Sequence, residues 1–306
     1  MSGVIGPAER LADAGYRRGV LLVLLAGVLW SSMGIGVRYI EVANVWQILF
    51  IRSATLSVFL FCAMTVRARG VPWASIRGVG LAGVIGGASL VFAFSGGIYA
   101  IQATTVANAM FLFAAAPFFA ALIGRAVLGE RVRRATWFAM AVAGLGIAIM
   151  VWQGVEGGRL DGNVAAIISA LGFAVFTVAV RWGQLGDMIP TVFLAGLFAT
   201  MTGGTVCLIQ GYGLDLPAGD FAVAAALGLF QVGAGLVVYT IGSKTVPAAE
   251  AALLSMTEVV FGPLWVWLVL GETATGATLI GGAVLMGALV ANVLSGIRRK
   301  PPPPVI

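Results

Sequence analysis

The sequence predicts an all-α integral membrane protein with ten transmembrane helices arranged as two inverted five-helix repeats. Three observations predict it: the composition, the recurrence of apolar runs of similar length, and one sequence pattern that returns in the second half. Hydrophobic residues make up 60% of the 306 positions and charged residues 10%, with a mean hydropathy of +1.03. Because so few polar residues cannot cover a soluble globule, most of the surface must face hydrocarbon.

Apolar runs long enough to cross a bilayer recur along the whole chain. A helix of about 20 residues, rising 1.5 Å per residue, spans the ~30 Å of hydrocarbon. The predicted spans are 19–38, 45–66, 76–98, 104–127, 135–152, 162–182, 189–210, 220–242, 247–270 and 274–295. These define a cytoplasmic N-terminal segment 1–18, a first repeat 19–152, a second repeat 162–295 and a cytoplasmic tail 296–306.

A repeat joins the two halves. Ala107–Glu130 is an apolar stretch that closes with Leu-Gly-Glu, and Ala249–Glu272 has the same length and the same closing residues. Gly19–Arg38 aligns with Gly162–Arg181 at an offset of 143 positions. Because each half holds five spans, an odd number, the second half must enter the membrane from the opposite side. This is the inverted-topology repeat from which many alternating-access carriers are built.

Basic residues orient the predicted spans. If the N-terminus is cytoplasmic, fifteen of the 18 Lys and Arg residues lie in cytoplasmic segments, only Arg38 and Arg159 lie outside, and Arg52 lies within the second span. This bias follows the positive-inside rule. The predicted location is therefore the cell inner membrane, with several passes and both termini in the cytoplasm. The basic residues have a topological explanation, so nucleic acid is not expected as a partner.

Missing motifs restrict the chemistry. No histidine is present, which removes His-based acid–base chemistry and His metal sites. No phosphate-binding loop and no soluble domain could support ATP hydrolysis. A secondary carrier, a channel and an intramembrane enzyme remain. An enzyme would need converging titratable groups, and a channel favours rings of like charge, so a carrier without metal or other cofactor is expected.

Glu258 is the sharpest single candidate. It lies about ten positions into its span, or ~15 Å by helical rise, and therefore near the bilayer midplane. An ionisable residue at that depth usually faces a cavity or a partner. Glu258 could bind a substrate ammonium group or carry a coupled proton. Alternatively, it forms a structural pair with Arg52 or stays protonated and bonds to the backbone.

Three sequence features resemble a known family. Leu29-Trp30-Ser31 lies in the first span, Ile51-Arg52 in the second, and Pro117 stands thirteen residues before Glu130. With five plus five spans, these features resemble the EamA-type branch of the drug/metabolite transporter (DMT) superfamily over residues 19–295. Within that branch, Val28–Met33 followed by Arg38 is similar to YddG-type aromatic amino acid exporters. The resemblance implies export of aromatic or other hydrophobic amino acids by alternating access.

Polar and aromatic residues on spans expected to face the interior supply the remaining candidates. The predicted substrate-binding residues are Trp30, Ser32, Phe94, Tyr99, Asn108, Phe111, Phe176, Gln231, Tyr239, Ser255 and Glu258. Helix breaks are predicted at Pro117 and Pro263, because a proline frees a backbone carbonyl at membrane depth. Gln231 and Ser255 could instead bond a neighbouring helix. The expected partners are small molecules, namely amino acids, and the lipid bilayer. A different cargo (a nucleoside, a sugar derivative or a drug) and the oligomeric state, for which a monomer is plausible, stay open.

Overall fold

The computed structural model describes residues 7–156, 159–246, 251 and 254–297, and this part of the chain is helical without strands. Nine of its helices are long and apolar enough to cross a membrane, and a tenth, shorter apolar helix completes the set. The helices are α1 (Pro7–Arg38), α2 (Val45–Ala68), α3 (Gly80–Ala103), α4 (Val106–Leu128), α5 (Arg134–Glu156), α6 (Leu160–Trp182), α7 (Ile189–Ile209), α8 (Ala218–Gly242), α9 (Thr257–Leu270) and α10 (Gly276–Ile297). A short helix, Trp73–Gly78, precedes α3.

The observed helices follow the predicted spans, with two differences. The first helix begins at Pro7, well inside the segment predicted as a polar N-terminal extension. The predicted ninth span begins at residue 247, but residues 247–250, 252 and 253 lie outside the described part of the chain. Apart from these two points, the observed helices match the ten predicted spans, so the ten-helix architecture is confirmed.

The repeated Leu-Gly-Glu ending has a local structural cause. Both α4 and α9 end at a glycine in the left-handed conformation, Gly129 with φ 67° and Gly271 with φ 68°. Glycine adopts this conformation without strain, and it allows the chain to turn out of the helix at once. In each half the glutamate, Glu130 or Glu272, therefore leaves the helix end at the same angle.

The helices pack chiefly across the two halves. The main packing pairs are α3 with α6 and α7, α2 with α7 and α8, α5 with α10, α1 with α8 and α9, and α4 with α6. Exchanging the halves, α1 for α6 through α5 for α10, turns the pair α3/α6 into α8/α1 and the pair α4/α6 into α9/α1. The packing therefore obeys a pseudo-two-fold relation, as two inverted repeats require.

Glycines allow these helices to approach closely. A Cβ atom on Gly172 of α6 would lie 2.7 Å from the Ser89 carbonyl oxygen of α3. On α5, a Cβ atom on Gly146 would similarly meet the backbone of Gly281 on α10. Lipid gives no hydrophobic drive between helices, so such backbone contact supplies van der Waals attraction instead. The two halves thus hold each other along several glycine-lined seams.

We distinguish the ends of the bundle by their glutamates. At the Glu130 end α4 and α6 finish, and at the Glu272 end α1 and α9 finish. Ala68 and Arg133 are exposed at the Glu130 end, and Val42 and Ala218 are exposed at the Glu272 end. Single cysteines at the first two positions should react with an impermeant maleimide from one side of the membrane only. Cysteines at the other two should react from the opposite side only.

The two native thiols must be removed for this labelling experiment. Cys62 is exposed and Cys207 is buried, so Cys62→Ser with Cys207→Ala provides the cysteine-free background. Unchanged expression of that background is the control. Labelling of residues 68 and 218 from the same side would contradict the arrangement of the ten helices.

Candidate functional site

A cavity of about 780 Å³ lies between the two halves. Side chains from all ten helices line it, so both repeats contribute to its wall. Most of the lining is apolar, and twelve polar or charged side chains interrupt it. A cavity of this size and composition matches the 300–1,000 Å³ range of small-molecule sites.

The cavity reaches the surface at the Glu130 end. Glu130, Arg131 and Arg133 belong to its lining there. Arg181 of α6 also lines this mouth and pairs with Glu130, with 3.0 Å between Nη1 and Oε2. Both side chains of this pair are exposed by 40% or more. The pair therefore stands at the rim and leaves the cavity open.

The Glu272 end is closed by a cluster that we call the Arg38 clasp, formed by Arg38, Glu272 and the backbone of Thr104 and Val106. Arg38 Nε lies 2.7 Å from Glu272 Oε2. Arg38 Nη2 also donates to the Thr104 carbonyl oxygen at 2.7 Å, and the Val106 N–H donates to Glu272 Oε1 at 2.8 Å. The clasp ties α1, α9 and the connection between α3 and α4 together.

A buried carboxylate supports the same closed end. Asp220, at the start of α8, accepts hydrogen bonds from the backbone N–H groups of Glu41, Val42 and Ala43 at 3.2, 2.9 and 2.8 Å. These groups belong to the turn between α1 and α2, where no helical partner is available to them. Asp220 thus fixes that turn against the second half. None of these residues lines the cavity.

Aromatic side chains form two parts of the cavity wall. Trp30 and Tyr239 lie with ring centroids 5.2 Å apart. On another part of the wall, Phe173 lies 5.6 Å from Phe113 and 5.7 Å from Phe176. These tilted contacts are favourable aromatic arrangements and give rigid, flat surfaces. An apolar or aromatic group is the ligand that such a wall accommodates.

Two charged side chains on opposite halves stand in this apolar wall. Arg52 of α2 is 3% exposed, and its Nη2 donates to Gln231 Oε1 at 3.2 Å. Glu258 of α9 is half-buried and lines the same cavity. The two groups form no ion pair with each other. The cavity wall therefore holds one guanidinium and one carboxyl group away from its mouth.

Glu258 stands at an interruption in the ninth membrane segment. Residues 254 and 255 are helical, Met256 forms a turn, and α9 begins at Thr257. Glu258 thus lies in the first turn of α9, where the positive end of the helix dipole favours a negative charge. In the pseudo-equivalent helix α4, a turn at Ala114 and Ala115 separates two helical parts. The two halves are therefore interrupted at matching depths.

The observed interruptions differ in part from the predicted proline breaks. Pro117 is the second residue of the part of α4 that follows the turn, a position where its missing N–H has no helical partner anyway. Pro263, however, lies inside α9, which continues without interruption to Leu270. The break predicted at Pro263 is thus found at Met256. Pro263 is tolerated because neighbouring structure can compensate a lost hydrogen bond in a membrane helix.

The structure brings seven of the eleven predicted substrate-binding residues to the cavity. They are Trp30, Phe94, Phe176, Gln231, Tyr239, Ser255 and Glu258. They come from α1, α3, α6, α8 and the ninth segment, so their convergence depends on how the two halves pack. Gln231 reaches Arg52 from a π-helical turn, Leu227–Ala234, within α8. Such turns widen a helix locally and are frequent at functional sites.

The other four predicted residues lie outside the cavity, and each contacts another part of the protein. Ser32 donates to the Leu29 carbonyl oxygen of its own helix at 2.6 Å. The Tyr99 hydroxyl donates to Asp161 Oδ2 at 2.8 Å near the Glu272 end. Asn108 takes part in a buried polar network with Thr104, Asn163 and Thr278, and Phe111 packs against Gly282.

Sequence reasoning missed several residues of the wall. Arg52 enters the sequence prediction as part of the family resemblance and as a structural partner of Glu258, although an intramembrane arginine is itself a signal of function. The predicted set also lacks Phe113 and Phe173. The repeat could have indicated Phe173, because it stands 143 positions after Trp30. Pseudo-equivalent positions on α1 and α6 thus both supply an aromatic ring.

Two inverted helical halves around a cavity that opens at one end define a polytopic membrane transport protein. The chain belongs to the EamA-like transporter family, whose profile matches residues 17–152 and 160–294. The family matches the chain twice, once in each half. The resemblance to the EamA-type branch is therefore confirmed.

Similar proteins agree with this family over nearly the whole chain. The pseudopaline exporter of Pseudomonas aeruginosa is 28% identical over 283 residues, which cover 90% of this chain and 95% of the exporter. The riboflavin transporter of Rhizobium johnstonii is 27% identical over 302 residues, covering 93% and 94%. A solved crystal structure with 22% identity has a TM-score of 0.61 and covers 92% of this chain and 99% of its own. That last similarity supports the fold alone.

The position of Trp30 depends on a glycine, which gives a testable prediction. A Cβ atom on Gly235 of α8 would lie closer than 2.8 Å to the Trp30 ring. Gly235→Ala should displace the ring from Tyr239. Overpacking of this kind costs about 1–3 kcal/mol of packing free energy. If the displaced ring costs cargo binding the same amount, transport should fall at least about five-fold. Initial transport rates per folded protein measure the effect.

The matched control is Gly144→Ala on α5, where a Cβ atom would meet no atom within 4 Å. Both variants introduce the same methyl group into a membrane helix, so expression and thermal stability should be compared first. Equal transport by the two variants would show that the Trp30 surface is not part of the pathway.

Proposed function

We propose that this protein is a secondary carrier that exports amino acids with aromatic or hydrophobic side chains by alternating access. The observation that carries the proposal is the cavity, whose apolar, aromatic wall holds two ionisable side chains away from the charged mouth, Arg52 and Glu258. An amino acid presents the complementary set: a carboxylate, an ammonium group and a side chain. Few other small metabolites combine both charges with an apolar body.

Closure at one end supports a carrier over a channel. The cavity opens at the Glu130 end, and the Arg38 clasp closes the other end. Arg181 and Glu130 stand 143 and 142 positions away from Arg38 and Glu272. Pseudo-equivalent ion pairs therefore occupy both ends. In the exchanged conformation, the Arg181–Glu130 pair would close its end while the Arg38 clasp opens.

The charge distribution supports the direction of transport. The Glu130 end carries Arg131, Arg133 and Arg134, whereas Lys and Arg are scarce at the Glu272 end. Under the positive-inside rule, the Glu130 end and both termini of an inner-membrane protein would lie on the cytoplasmic side. The conformation described here would then accept cargo from the cytoplasm. Release would follow at the Glu272 end.

The names of the similar proteins support export, whereas the proposed class of cargo rests on the cavity. One is named as an exporter of pseudopaline and another as a transporter of riboflavin. Their names differ in cargo although the similarity to each covers about nine tenths of this chain. A carrier for another small aromatic metabolite is therefore the second candidate, favoured by the volume of about 780 Å³.

Counterflow in proteoliposomes tests the proposed cargo. Vesicles loaded with unlabelled phenylalanine, tryptophan, leucine, riboflavin or uridine should accumulate the matching labelled compound from outside. Saturable counterflow is expected for the amino acids, because a carrier exchanges bound cargo and a channel does not. Counterflow of riboflavin alone would select the second candidate. Flux that is linear in concentration would contradict a carrier.

The Arg38 clasp generates a prediction about closure. Glu272→Gln keeps an oxygen that can accept from the Val106 N–H but removes the charge that pairs with Arg38. The Glu272 end should then open more often, by roughly five-fold for an ion pair worth about 1 kcal/mol. A cysteine at Ile101, a buried residue of the cavity wall, reports this opening. Its labelling by impermeant maleimide in intact cells should accelerate.

Glu130→Gln is the matched control for this experiment. It removes the charge of the pseudo-equivalent pair at the opposite end, so it should not accelerate labelling of residue 101 from outside the cell. Equal rates in the wild-type protein and the Glu272→Gln variant would show that the Arg38 clasp does not hold this end closed.

A further inference from the structure

Arg52 is a buried cation whose hydrogen-bonding capacity is largely unused. Its Nη2 donates to Gln231 Oε1, but Nε and Nη1 have no acceptor among the residues that the structure describes. Within the same part of the chain, no carboxylate forms an ion pair with it. Glu258 lines the same cavity without pairing with Arg52. The guanidinium therefore meets a neutral amide at the cavity wall, and its Nε and Nη1 are buried without an acceptor.

Leaving this charge without a counter-ion is costly. An arginine side chain stays protonated in proteins, so it cannot escape the cost by becoming neutral. Charged residues within membrane segments usually pair with one another or with backbone oxygens. Unmade hydrogen bonds of a buried charged group carry a further penalty. A cation retained in this state is prepared for an anion that binds and leaves.

The surroundings hold Arg52 in position. Its Cζ atom lies 4.8 Å from the centroid of the Phe94 ring. Gln231 is oriented by a second bond, from its Nε2 to the Trp30 carbonyl oxygen at 3.4 Å. Gly228 of the same π-helical turn lies close to the Arg52 backbone, where a Cβ atom would clash with the Arg52 carbonyl oxygen. Arg52 thus has a fixed backbone, a fixed polar neighbour and one aromatic neighbour.

We propose that Arg52 binds the α-carboxylate of the cargo. This inference rests on the proposed function. A carboxylate matches the planar donor geometry of a guanidinium. One zwitterion would supply a carboxylate for Arg52 and an ammonium group for Glu258, and it would add no net charge to the cavity. Arg52 would therefore select amino acids over the corresponding amines and amides.

Four ligands that share a phenyl ring test this assignment by binding to the purified protein in lipid nanodiscs. L-Phenylalanine carries both charges, L-phenylalaninamide and phenethylamine lack the carboxylate, and 3-phenylpropionate lacks the ammonium group. The wild-type protein should bind phenylalaninamide about ten- to hundred-fold more weakly than phenylalanine, because charge-assisted hydrogen bonds are lost. Arg52→Gln should weaken phenylalanine binding by a similar factor. In that variant, phenylalanine and its amide should bind equally.

Glu258→Gln is the matched control, because it should retain the preference for phenylalanine over the amide and lose the preference for phenylalanine over 3-phenylpropionate. Arg52→Lys, which keeps the charge, should show an intermediate preference. Equal binding of acid and amide to the wild-type protein would overturn the role of Arg52. An unchanged acid-to-amide ratio in Arg52→Gln would overturn it as well.

The two proposals fail in different ways. If 3-phenylpropionate binds in an Arg52-dependent manner and phenylalanine does not, the carboxylate site stands and the amino acid cargo is overturned. If phenylalanine binds as tightly as its amide, the cargo stands and the Arg52 inference is overturned. If none of the four ligands binds, both are overturned. The comparison of wild-type affinities needs no variant, so poor folding of Arg52→Gln would not prevent a decision.

Discussion

Direct backbone contact between the two halves is the constraint on which the rest of the structure depends. Glycines such as Gly172 on α6 and Gly146 on α5 bring helix backbones together where lipid offers no hydrophobic drive. The seams formed by these contacts fix the halves to each other. Helices α1, α4, α6 and the ninth segment then border a space that their larger side chains do not fill. The cavity is therefore a consequence of where close packing stops.

The scaffold is symmetric, but the charges that it holds are not. Trp30 and Phe173 occupy pseudo-equivalent positions and both reach the cavity. By contrast, the position 143 residues after Arg52 is Ala195, and the position 142 residues before Glu258 is Ala116. The first half therefore supplies the guanidinium of Arg52, and the second half supplies the carboxyl group of Glu258. A ligand that binds both must span the boundary between the halves, which is also the boundary across which a carrier has to move.

The sequence predicted those features that depend on local chemistry. Span length, the glycine-terminated ends of α4 and α9, and the repeat all follow from short segments and appear where predicted. Side-chain roles within the bundle depend on partners from distant segments and could not be read in this way. Asn108 is polar and intramembrane like Glu258, yet Asn163 and Thr278 engage it. Pro263 carries the local signal of a break, yet its helix continues, because tertiary packing decides which interruption is used.

The paired Leu-Gly-Glu endings also bear on energetics. Duplication of one motif gives the two ends of the bundle closures of similar chemistry, so the inward-open and outward-open forms of such a carrier would differ by only small free energies. In an alternating-access carrier, the extra bonds of the Arg38 clasp to Thr104 and Val106 would favour the form described here. A ligand can shift an equilibrium only by its differential affinity for the two forms. If the inward-open and outward-open forms differ so little in free energy, even a weakly bound metabolite can change which form is more populated.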